Sequence, residues 1–200
     1  NSGCVVELLN NDNGVFIRKT SSSKEYSDRL KLQCKKQILF GENDNFLLIK
    51  TPNIIRSGIL KNKYYFDMEY VLGNDCIEFF ETMELKRIQK FYEVLESYFL
   101  KIINSSITKK VPSEIFLTKI KDVENKLSGN DKLKNYIQYL YDFLKDKNFL
   151  ILPICECHGD LTLSNIITKQ CDKDDEIKLF FIDFLDNFIE TPLQDMVKIR

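Results

Sequence analysis

The single histidine of the chain opens a short polar run between two apolar segments. The run reads His158-Gly159-Asp160-Leu161-Thr162-Leu163-Ser164-Asn165, and Asp183 follows the apolar, strand-like segment Leu179-Phe180-Phe181-Ile182. Phosphoryl transfer from a metal-bound nucleotide needs one carboxylate to orient the attacking hydroxyl, and an amide oxygen with a second carboxylate to hold Mg²⁺ against the phosphates. Asn and Asp provide hard oxygen donors that suit Mg²⁺. The pattern therefore predicts a phosphotransfer site.

The pattern H-G-D-x-x-x-x-N, followed by an apolar residue, Asp and Phe, resembles the aminoglycoside phosphotransferase and choline kinase family. These are small-molecule kinases with a protein-kinase-like fold. The catalytic-loop pattern H-R-D-L-x-x-x-N falls on residues 158–165, and the D-F-G pattern falls on Asp183 and Phe184, with Leu185 in place of glycine. Gly159 and Thr162 stand where protein kinases commonly have Arg and Lys, and both departures are ordinary in the small-molecule group.

The resemblance implies a role for each polar residue of this region. Asp160 orients the acceptor hydroxyl and accepts its proton, Asn165 and Asp183 bind Mg²⁺, and His158 braces the loop. Asp186 is either a further acid near the metal or a solvated loop residue. The implied cofactors are ATP and Mg²⁺, and the implied partner is a small molecule with a hydroxyl group, whose identity the sequence does not give.

A cation for the nucleotide phosphates is expected on a strand near the N-terminus. Val15-Phe16-Ile17-Arg18 matches the pattern V-A-I-K with Arg in the Lys position, and a shift of one residue places Lys19 there. Because strand side chains alternate between faces, only one of the two cations can point into the cleft. We favour Lys19, since Lys is the commoner choice. Two solvated charges at a strand end are the alternative.

The resemblance also implies a Glu on the following helix as the partner of this cation. Gln33 or Gln37 stands in the expected place, and Glu25 lies early, in the preceding loop. An amide can orient a cation but cannot neutralise it, so the ion pair is left open.

The segment Met68-Glu69-Tyr70-Val71-Leu72-Gly73 resembles the hinge between kinase lobes. By this resemblance the backbone of Glu69, Tyr70 and Val71 binds adenine, and Gly73 permits a sharp exit into the second lobe. A strand that ends at a turn is the alternative.

Near the C-terminus, Thr191, Pro192 and Gln194 form a capping-box pattern that predicts a helix beginning at Pro192. Asp195 then lies in the first turn, where the helix dipole favours an acid. The resemblance gives Asp195 a second role, in which it ties this helix to the catalytic loop.

The remaining pattern predicts an α+β fold. Two hairpins, over 5–18 and 54–70, flank an amphipathic helix that carries Leu30, Leu32, Ile38, Leu39 and Phe40, and apolar residues at helical spacing predict further helices over 88–102, 115–127 and 137–144. Strand, strand, helix, strand, strand is the order of a kinase small lobe without its first strand. We therefore expect a bilobal protein-kinase-like fold, with an antiparallel nucleotide-binding lobe at 1–72 and a mainly helical catalytic lobe at 73–200.

The chain begins at Asn1 with only Ser2, Gly3 and Cys4 before Val5, and it stops at Arg200. The expected first strand, its glycine-rich loop and the later acceptor-binding helices would lie outside these bounds. We therefore expect the sequence to be part of a longer protein, truncated at both ends.

The composition limits the class of partner and the compartment. The formal net charge is −1 with both signs interspersed, which argues against nucleic acid or an anionic membrane as the main partner. No apolar run approaches the roughly 20 residues of a membrane span, and no signal peptide is visible. The six cysteines form no C-x-x-C pair, so reduced thiols in a cytoplasm are expected. Cys155, Cys157, His158 and Cys171 form an alternative zinc site, but C-x-C spacing is tighter than usual.

The sequence thus predicts a small-molecule kinase, and two other functions stay open. A catalytically inactive kinase-like module would bind nucleotide or a partner protein. A metal-dependent phosphohydrolase would use Asp160 and Asp183, but it would need more His or Asp ligands than a chain with one histidine offers.

Overall fold

The structure is a computed structural model that describes residues 3–12, 14–43, 46–127, 131–170 and 176–199. The first elements in chain order are β1 (Cys4–Asn11), β2 (Gly14–Ser21), α1 (Glu25–Gly41), β3 (Ile49–Lys50), β4 (Ile54–Leu60), β5 (Lys63–Glu69), β6 (Asn74–Asp75) and α2 (Cys76–Thr82). They are followed by α3 (Leu85–Ser105), β7 (Ile107–Pro112), α4 (Ser113–Lys126), α5 (Asp131–Leu144), β8 (Phe149–Ile154), β9 (Ile166–Gln170), β10 (Ile177–Phe181) and α6 (Pro192–Lys198).

The first sheet has the strand order β1-β2-β5-β4 and is antiparallel throughout. Helix α1 packs on this sheet through Leu30 and Cys34, which form a core cluster with Phe66 and Met68. The predicted hairpins and helix are confirmed, but the predicted apolar face of the helix is wrong in part. The side chains of three of its residues are exposed and lie outside this cluster: Leu32, Ile38 and Leu39.

The second sheet has the order β3-β10-β9-β6. Its β10–β3 pair is parallel, and its other pairs are antiparallel. One side of the main core comes from this sheet and the other from α3, whose buried residues recur at helical spacing as predicted: Phe91, Val94, Leu95, Tyr98, Phe99 and Ile102. This core supports the loop that joins β8 to β9 and the loop that follows β10, which together carry the candidate site.

The last pair, β7-β8, is antiparallel, and β8 ends at Ile154, shortly before the polar run that begins at His158. The predicted helices over 115–127 and 137–144 correspond to α4 and α5. The sequence pattern also predicts that the first of these helices ends near Ser128-Gly129, which lies outside the described residues. Taken together, these elements confirm the predicted α+β architecture, with a small antiparallel sheet followed by a mainly helical part. In the described ranges, no helix combines the length and the apolar character that crossing a membrane requires.

Candidate active site

One buried carboxylate holds the loop at residues 158–165, which is called the catalytic loop after its sequence pattern. Asp195, in the first turn of α6, accepts hydrogen bonds from the backbone N–H groups of His158 (2.7 Å), Gly159 (2.8 Å) and Leu161 (3.4 Å). Its side chain is fully buried, and burial raises the pKa of Asp195 although the three N–H donors act in the opposite direction. A carboxylate with three backbone donors holds the loop in one conformation, which goes beyond a simple helix-dipole contact.

His158 is buried against the aromatic core and bonded at both ring nitrogens. Its Nδ1 accepts from the Asp160 backbone N–H (3.2 Å), so Nε2 carries the proton and donates to the carbonyl of Ile182 (2.7 Å). The ring also packs on Phe184, with centroids 4.4 Å apart. Burial lowers the pKa of His158 to about 4. The imidazole is therefore neutral near pH 7, and it links the loop to the end of β10.

Gly159 allows the two site loops to approach closely. Its φ is +90°, and a Cβ atom there would lie 2.0 Å from the carbonyl oxygen of Leu185 and 2.6 Å from the side-chain nitrogen of Asn187. The Leu185 backbone N–H bonds to the carbonyl of His158 (3.0 Å), and the Asn187 amide donates to the carbonyl of Gly159 (2.8 Å). A side chain at residue 159 would separate these loops.

Asn165 and Asp183 lie at matching ends of adjacent strands. Asn165 directly precedes β9, Asp183 follows β10, and the Ile182 N–H donates to the Asn165 carbonyl at 3.0 Å. The Asn165 side-chain nitrogen donates to the backbone carbonyl of Asp160 (2.7 Å). The Asn165 amide oxygen and the half-exposed Asp183 carboxylate are hard oxygen donors of the kind that Mg²⁺ prefers.

The backbone of Asp183 adopts φ +64°, in the left-handed region. Asp is one of the few residue types that enter this region with some frequency. Such conformations concentrate at functional sites, where the surrounding structure enforces them. Here the enforcing contacts are the ladder of β10 on one side and the Leu185–His158 hydrogen bond on the other.

Of the two candidate cations on β2, the structure brings Lys19 to this site. The Lys19 ammonium forms an ion pair with the Asp183 carboxylate, and the Lys19 side chain is almost fully buried. Burial lowers the pKa of Lys19 to about 8. Arg18 points to the opposite face of the sheet, where its guanidinium binds Asp67 through two hydrogen bonds of 2.7 and 2.8 Å. Arg56 binds the same carboxylate at 2.6 Å.

The structure places none of the helix candidates on Lys19. Gln37 is buried and donates to the carbonyl of Pro52 (2.7 Å), Gln33 is partly buried on α1, and Glu25 is the exposed first residue of that helix. The partner of Lys19 in this structure is Asp183. Glu25 thus belongs to the helix and not to the preceding loop, because α1 begins earlier than predicted.

Sequence reasoning missed a contact between α1 and the loop after Asp183. The Lys36 ammonium binds both carboxylate oxygens of Glu190 (2.8 and 2.7 Å) and the carbonyl of Leu185 (2.9 Å). Lys36 is one turn after Gln33, so helical periodicity places it on the face already considered for a partner of the cation. Nothing local in the sequence, however, links it to Glu190.

A second missed residue contacts the proposed base directly. Lys198, the last residue of α6, places its Nζ 2.5 Å from an Asp160 carboxylate oxygen and 3.4 Å from the Gly159 carbonyl. Both side chains are about one-third exposed. Asp186, considered as a further acid, is also exposed.

Two predicted local features have a different physical basis in the structure. Helix α6 begins at Pro192 as predicted, but the capping box is not formed. The Thr191 hydroxyl is buried without a hydrogen-bond partner, and the side-chain nitrogen of Gln194 donates to Asn187. Gly73 has no left-handed backbone; instead, a Cβ there would lie 2.5 Å from the Thr168 carbonyl oxygen. Glycine is needed at residue 73 because β9 passes so close.

The hinge segment runs between the two larger sheets. Glu69 ends β5, Asn74 begins β6 in the second sheet, and only four residues connect them. Tyr70 is partly exposed and Val71 is buried. The Glu69 backbone N–H bonds to the Asn53 carbonyl at 2.9 Å.

The cysteines next to the catalytic loop are protonated thiols. Burial raises the pKa of Cys155 to about 11 and that of Cys157 above its ordinary range, and the Cys157 thiol donates to Glu190 at 3.3 Å. Cys171, the fourth residue of the alternative zinc site, lies outside the described residues. Across the part of the chain that the structure describes, no group of three or more His, Cys, Asp or Glu side chains is arranged to hold a metal ion.

The first sheet with α1 and the mainly helical second part give the described residues a bilobal α+β fold, with the candidate site between them. Solved structures similar to the chain include two mutant forms of the kinase domain of Mycobacterium tuberculosis PknI. A double mutant is 12% identical with a TM-score of 0.41, over 92% of this chain and 54% of that one. A single mutant is 11% identical with a TM-score of 0.40, over 94% and 57%.

The chain thus spans little more than half the length of these kinase domains. No protein-family profile matches the chain, and no curated protein does.

Proposed function

We propose that this protein is an ATP- and Mg²⁺-dependent phosphotransferase that moves the γ-phosphoryl group of ATP to an alcohol group of a small molecule. One observation carries the proposal. Residues from three distant parts of the chain meet in one site: Lys19 contacts Asp183, and Asn165 contacts Asp160. This is the donor set that phosphoryl transfer requires, with a base, two metal ligands and a buried cation.

Each residue then has a definite task. Asp160 orients the acceptor hydroxyl and accepts its proton. Asn165 and Asp183 hold the metal, and bound Mg²⁺ would neutralise charge on the phosphates. Lys19 turns from Asp183 toward the α- and β-phosphates. The neutral His158 keeps the loop in register, and Asp195 anchors it from the buried side.

The backbone at Glu69, Tyr70 and Val71 is the proposed adenine site. It leaves the first sheet at the end of β5, the strand paired with the one that carries Lys19. The proposed adenine site and Lys19 therefore lie on neighbouring strands of the same sheet. Arg18 is excluded from this role because it is committed to Asp67 on the other face.

A small acceptor is favoured by the loop itself. Gly159, which lets Leu185 and Asn187 close over the catalytic loop, also carries the resemblance to aminoglycoside phosphotransferases and choline kinases. We propose the same class of acceptor here, a small metabolite or antibiotic that bears a hydroxyl group. A cytoplasmic location fits the buried, free thiols of Cys34, Cys76 and Cys157.

A catalytically inactive kinase-like module is the second candidate, and one observation favours it. Both central carboxylates are paired with lysines, Asp183 with Lys19 and Asp160 with Lys198, and α1 supplies no acid to hold Lys19 away from Asp183. Such a module would bind nucleotide or a partner protein without transferring phosphate.

The two candidates separate in a turnover assay on the full-length protein. ATP consumption is measured with kanamycin, choline, ethanolamine and glucose as separate acceptors, beside the variant Asp160→Asn. The proposal predicts acceptor-dependent turnover that falls by about 10²–10⁴ in the variant, since the general base is lost, with little change in Mg·ATP affinity. Mg·ATP binding without turnover on any acceptor would favour the inactive module. Near-normal turnover by Asp160→Asn would remove the assignment of the base.

A further inference from the structure

The contact between Lys198 and Asp160 joins residues 38 positions apart at the centre of the site. Helix α6 fixes it in place. Asp195 lies one turn before Lys198 on the same helix, and its carboxylate is buried against the backbone of the catalytic loop. Because helix α6 is bonded to the loop through Asp195, it holds the Lys198 side chain next to Asp160.

The ammonium of Lys198 has a donor to spare. It carries three N–H groups, of which one binds Asp160 at 2.5 Å and one makes a long contact of 3.4 Å with the Gly159 carbonyl. The side chain is 31% exposed and that of Asp160 is 36% exposed, so a ligand can reach both.

The catalytic loop itself supplies no cation on the acceptor side. Thr162, at the position where many protein kinases have Lys, shares a 2.8 Å hydrogen bond with the Ser164 hydroxyl. Lys19, the other cation of the site, contacts Asp183 on the nucleotide side. Among the described residues, Lys198 is the cation that contacts Asp160, so it is placed to balance negative charge that transfer to the acceptor would bring beside that carboxylate.

We propose that Lys198 is a catalytic residue that binds the transferring phosphoryl group while it holds Asp160 toward the acceptor. The proposal rests on the phosphotransferase function proposed above. In the step, the acceptor oxygen bonds to the γ-phosphorus, the bond from that phosphorus to the ADP oxygen breaks, and the acceptor proton passes to Asp160. Lys198 keeps its own proton and stabilises charge on the phosphoryl oxygens.

A purely structural role makes a different prediction. A cation at a helix C-terminus is stabilised by the helix dipole wherever its side chain points. If that were the whole role, removal of Lys198 would affect the folded protein alike in every ligand state. A catalytic role acts selectively on the state in which the phosphoryl group is in transfer.

The test compares the affinity of the full-length protein for Mg·ADP and for Mg·ADP with aluminium fluoride, which mimics the phosphoryl group in transfer without a known acceptor. The variants are Lys198→Ala and Lys198→Arg, with Lys169→Ala, an exposed lysine on β9, as the matched control. Thermal melts without ligand establish that each variant is folded.

We expect aluminium fluoride to tighten Mg·ADP binding in the wild type and in Lys169→Ala. In Lys198→Ala the gain should fall by about 10²-fold, the usual loss for one donor to a transition-state oxygen, while Mg·ADP affinity stays unchanged. Lys198→Arg should keep most of the gain, because it retains the charge.

An unchanged gain in Lys198→Ala would overturn the role of Lys198 alone. An equal loss of Mg·ADP affinity would overturn it in favour of a structural contact. No gain in the wild type would count against the phosphotransferase function itself, and the role of Lys198 would fall with it.

Discussion

Lys19 and Asp183, 164 positions apart in the chain, form an ion pair between the first sheet and the loop after β10. The lysine is nearly buried, whereas the carboxylate is about half exposed. The pair thus joins a buried cation to a carboxylate that could also bind a metal ion. Under the proposed function, binding of Mg·ATP would exchange these contacts, with Asp183 turning to the metal and Lys19 to the phosphates.

Substitutions can distinguish the contributions proposed for Asp183 and Asn165 to metal binding. We expect Asp183→Ala to abolish Mg²⁺-dependent nucleotide binding, because a charged ligand is lost, but to retain ATP binding in EDTA through the unpaired Lys19. Asn165→Ala should weaken Mg·ATP binding less, since a neutral amide contributes less to a cation. Calorimetry with and without Mg²⁺ measures both. Unchanged Mg·ATP affinity in Asp183→Ala would contradict the metal site.

The lowered pKa of Lys19, about 8, predicts a pH dependence of nucleotide binding. Below this value the charged ammonium attracts phosphate, and above it the neutral amine does not. Mg·ATP affinity should therefore fall between pH 7 and 9 in the wild type. Lys19→Arg, which stays charged throughout, should give a nearly flat profile in the same titration. Equal slopes in the two proteins would show that another group is responsible.

Gly159→Ala tests how closely the two site loops must approach. The variant combines a left-handed backbone with a Cβ atom 2.0 Å from the Leu185 carbonyl oxygen. We expect a loss of at least about 2 kcal/mol in the free energy of unfolding, from backbone strain and overlap together.

Gly14→Ala is the matched control for that substitution, because Gly14 has φ +112° with open space around its Cβ position. It should cost only about 1 kcal/mol, the strain alone. Denaturant unfolding of both variants gives the difference. Equal costs would mean that the contact with Leu185 is not a constraint.

Asp195→Ala tests the anchor of the catalytic loop. Three backbone N–H groups would lose their acceptor in a buried place, and each unsatisfied donor costs about 1–3 kcal/mol. We expect a loss of at least about 3 kcal/mol in unfolding free energy. Glu114→Ala, which removes an exposed first-turn acid from α4, is the control and should change the melting temperature little. Similar shifts would reduce Asp195 to a dipole contact.

The expectation that Asp160, Asn165 and Asp183 lie near one another could be drawn from the sequence because their spacing is local. Asp160 and Asn165 share one loop, and Asp183 follows a strand whose apolar pattern is clear. Strand alternation implied that only one of Lys19 and Arg18 points into the cleft. The structure directs Arg18 to the other face through Asp67, a buried carboxylate on β5, and no local sequence pattern predicts that β5 pairs with β2.

Contacts between distant elements could not be predicted in the same way. Lys36 and Lys198 look like ordinary helix-surface charges, and only the packing of α1 and α6 beside the loops directs them at Glu190 and Asp160. Strand β7 was missed because Thr108, Lys109 and Lys110 are polar and exposed, so no alternation marks it. In each case the deciding partner comes from tertiary structure and not from propensity.

Strand β3 has a consequence for any attempt to divide the chain. Ile49 lies well before the hinge, yet it pairs with β10, and the Leu179 N–H bonds to the Leu48 carbonyl at 2.8 Å. Ile49 is also part of the main core around α3. We therefore expect that cleavage of the backbone at 70–73 would give two fragments that remain associated, because residues from both fragments form the main core. Fragment complementation, in which two separately expressed pieces restore one another, is a more natural use of that site than the isolation of either lobe.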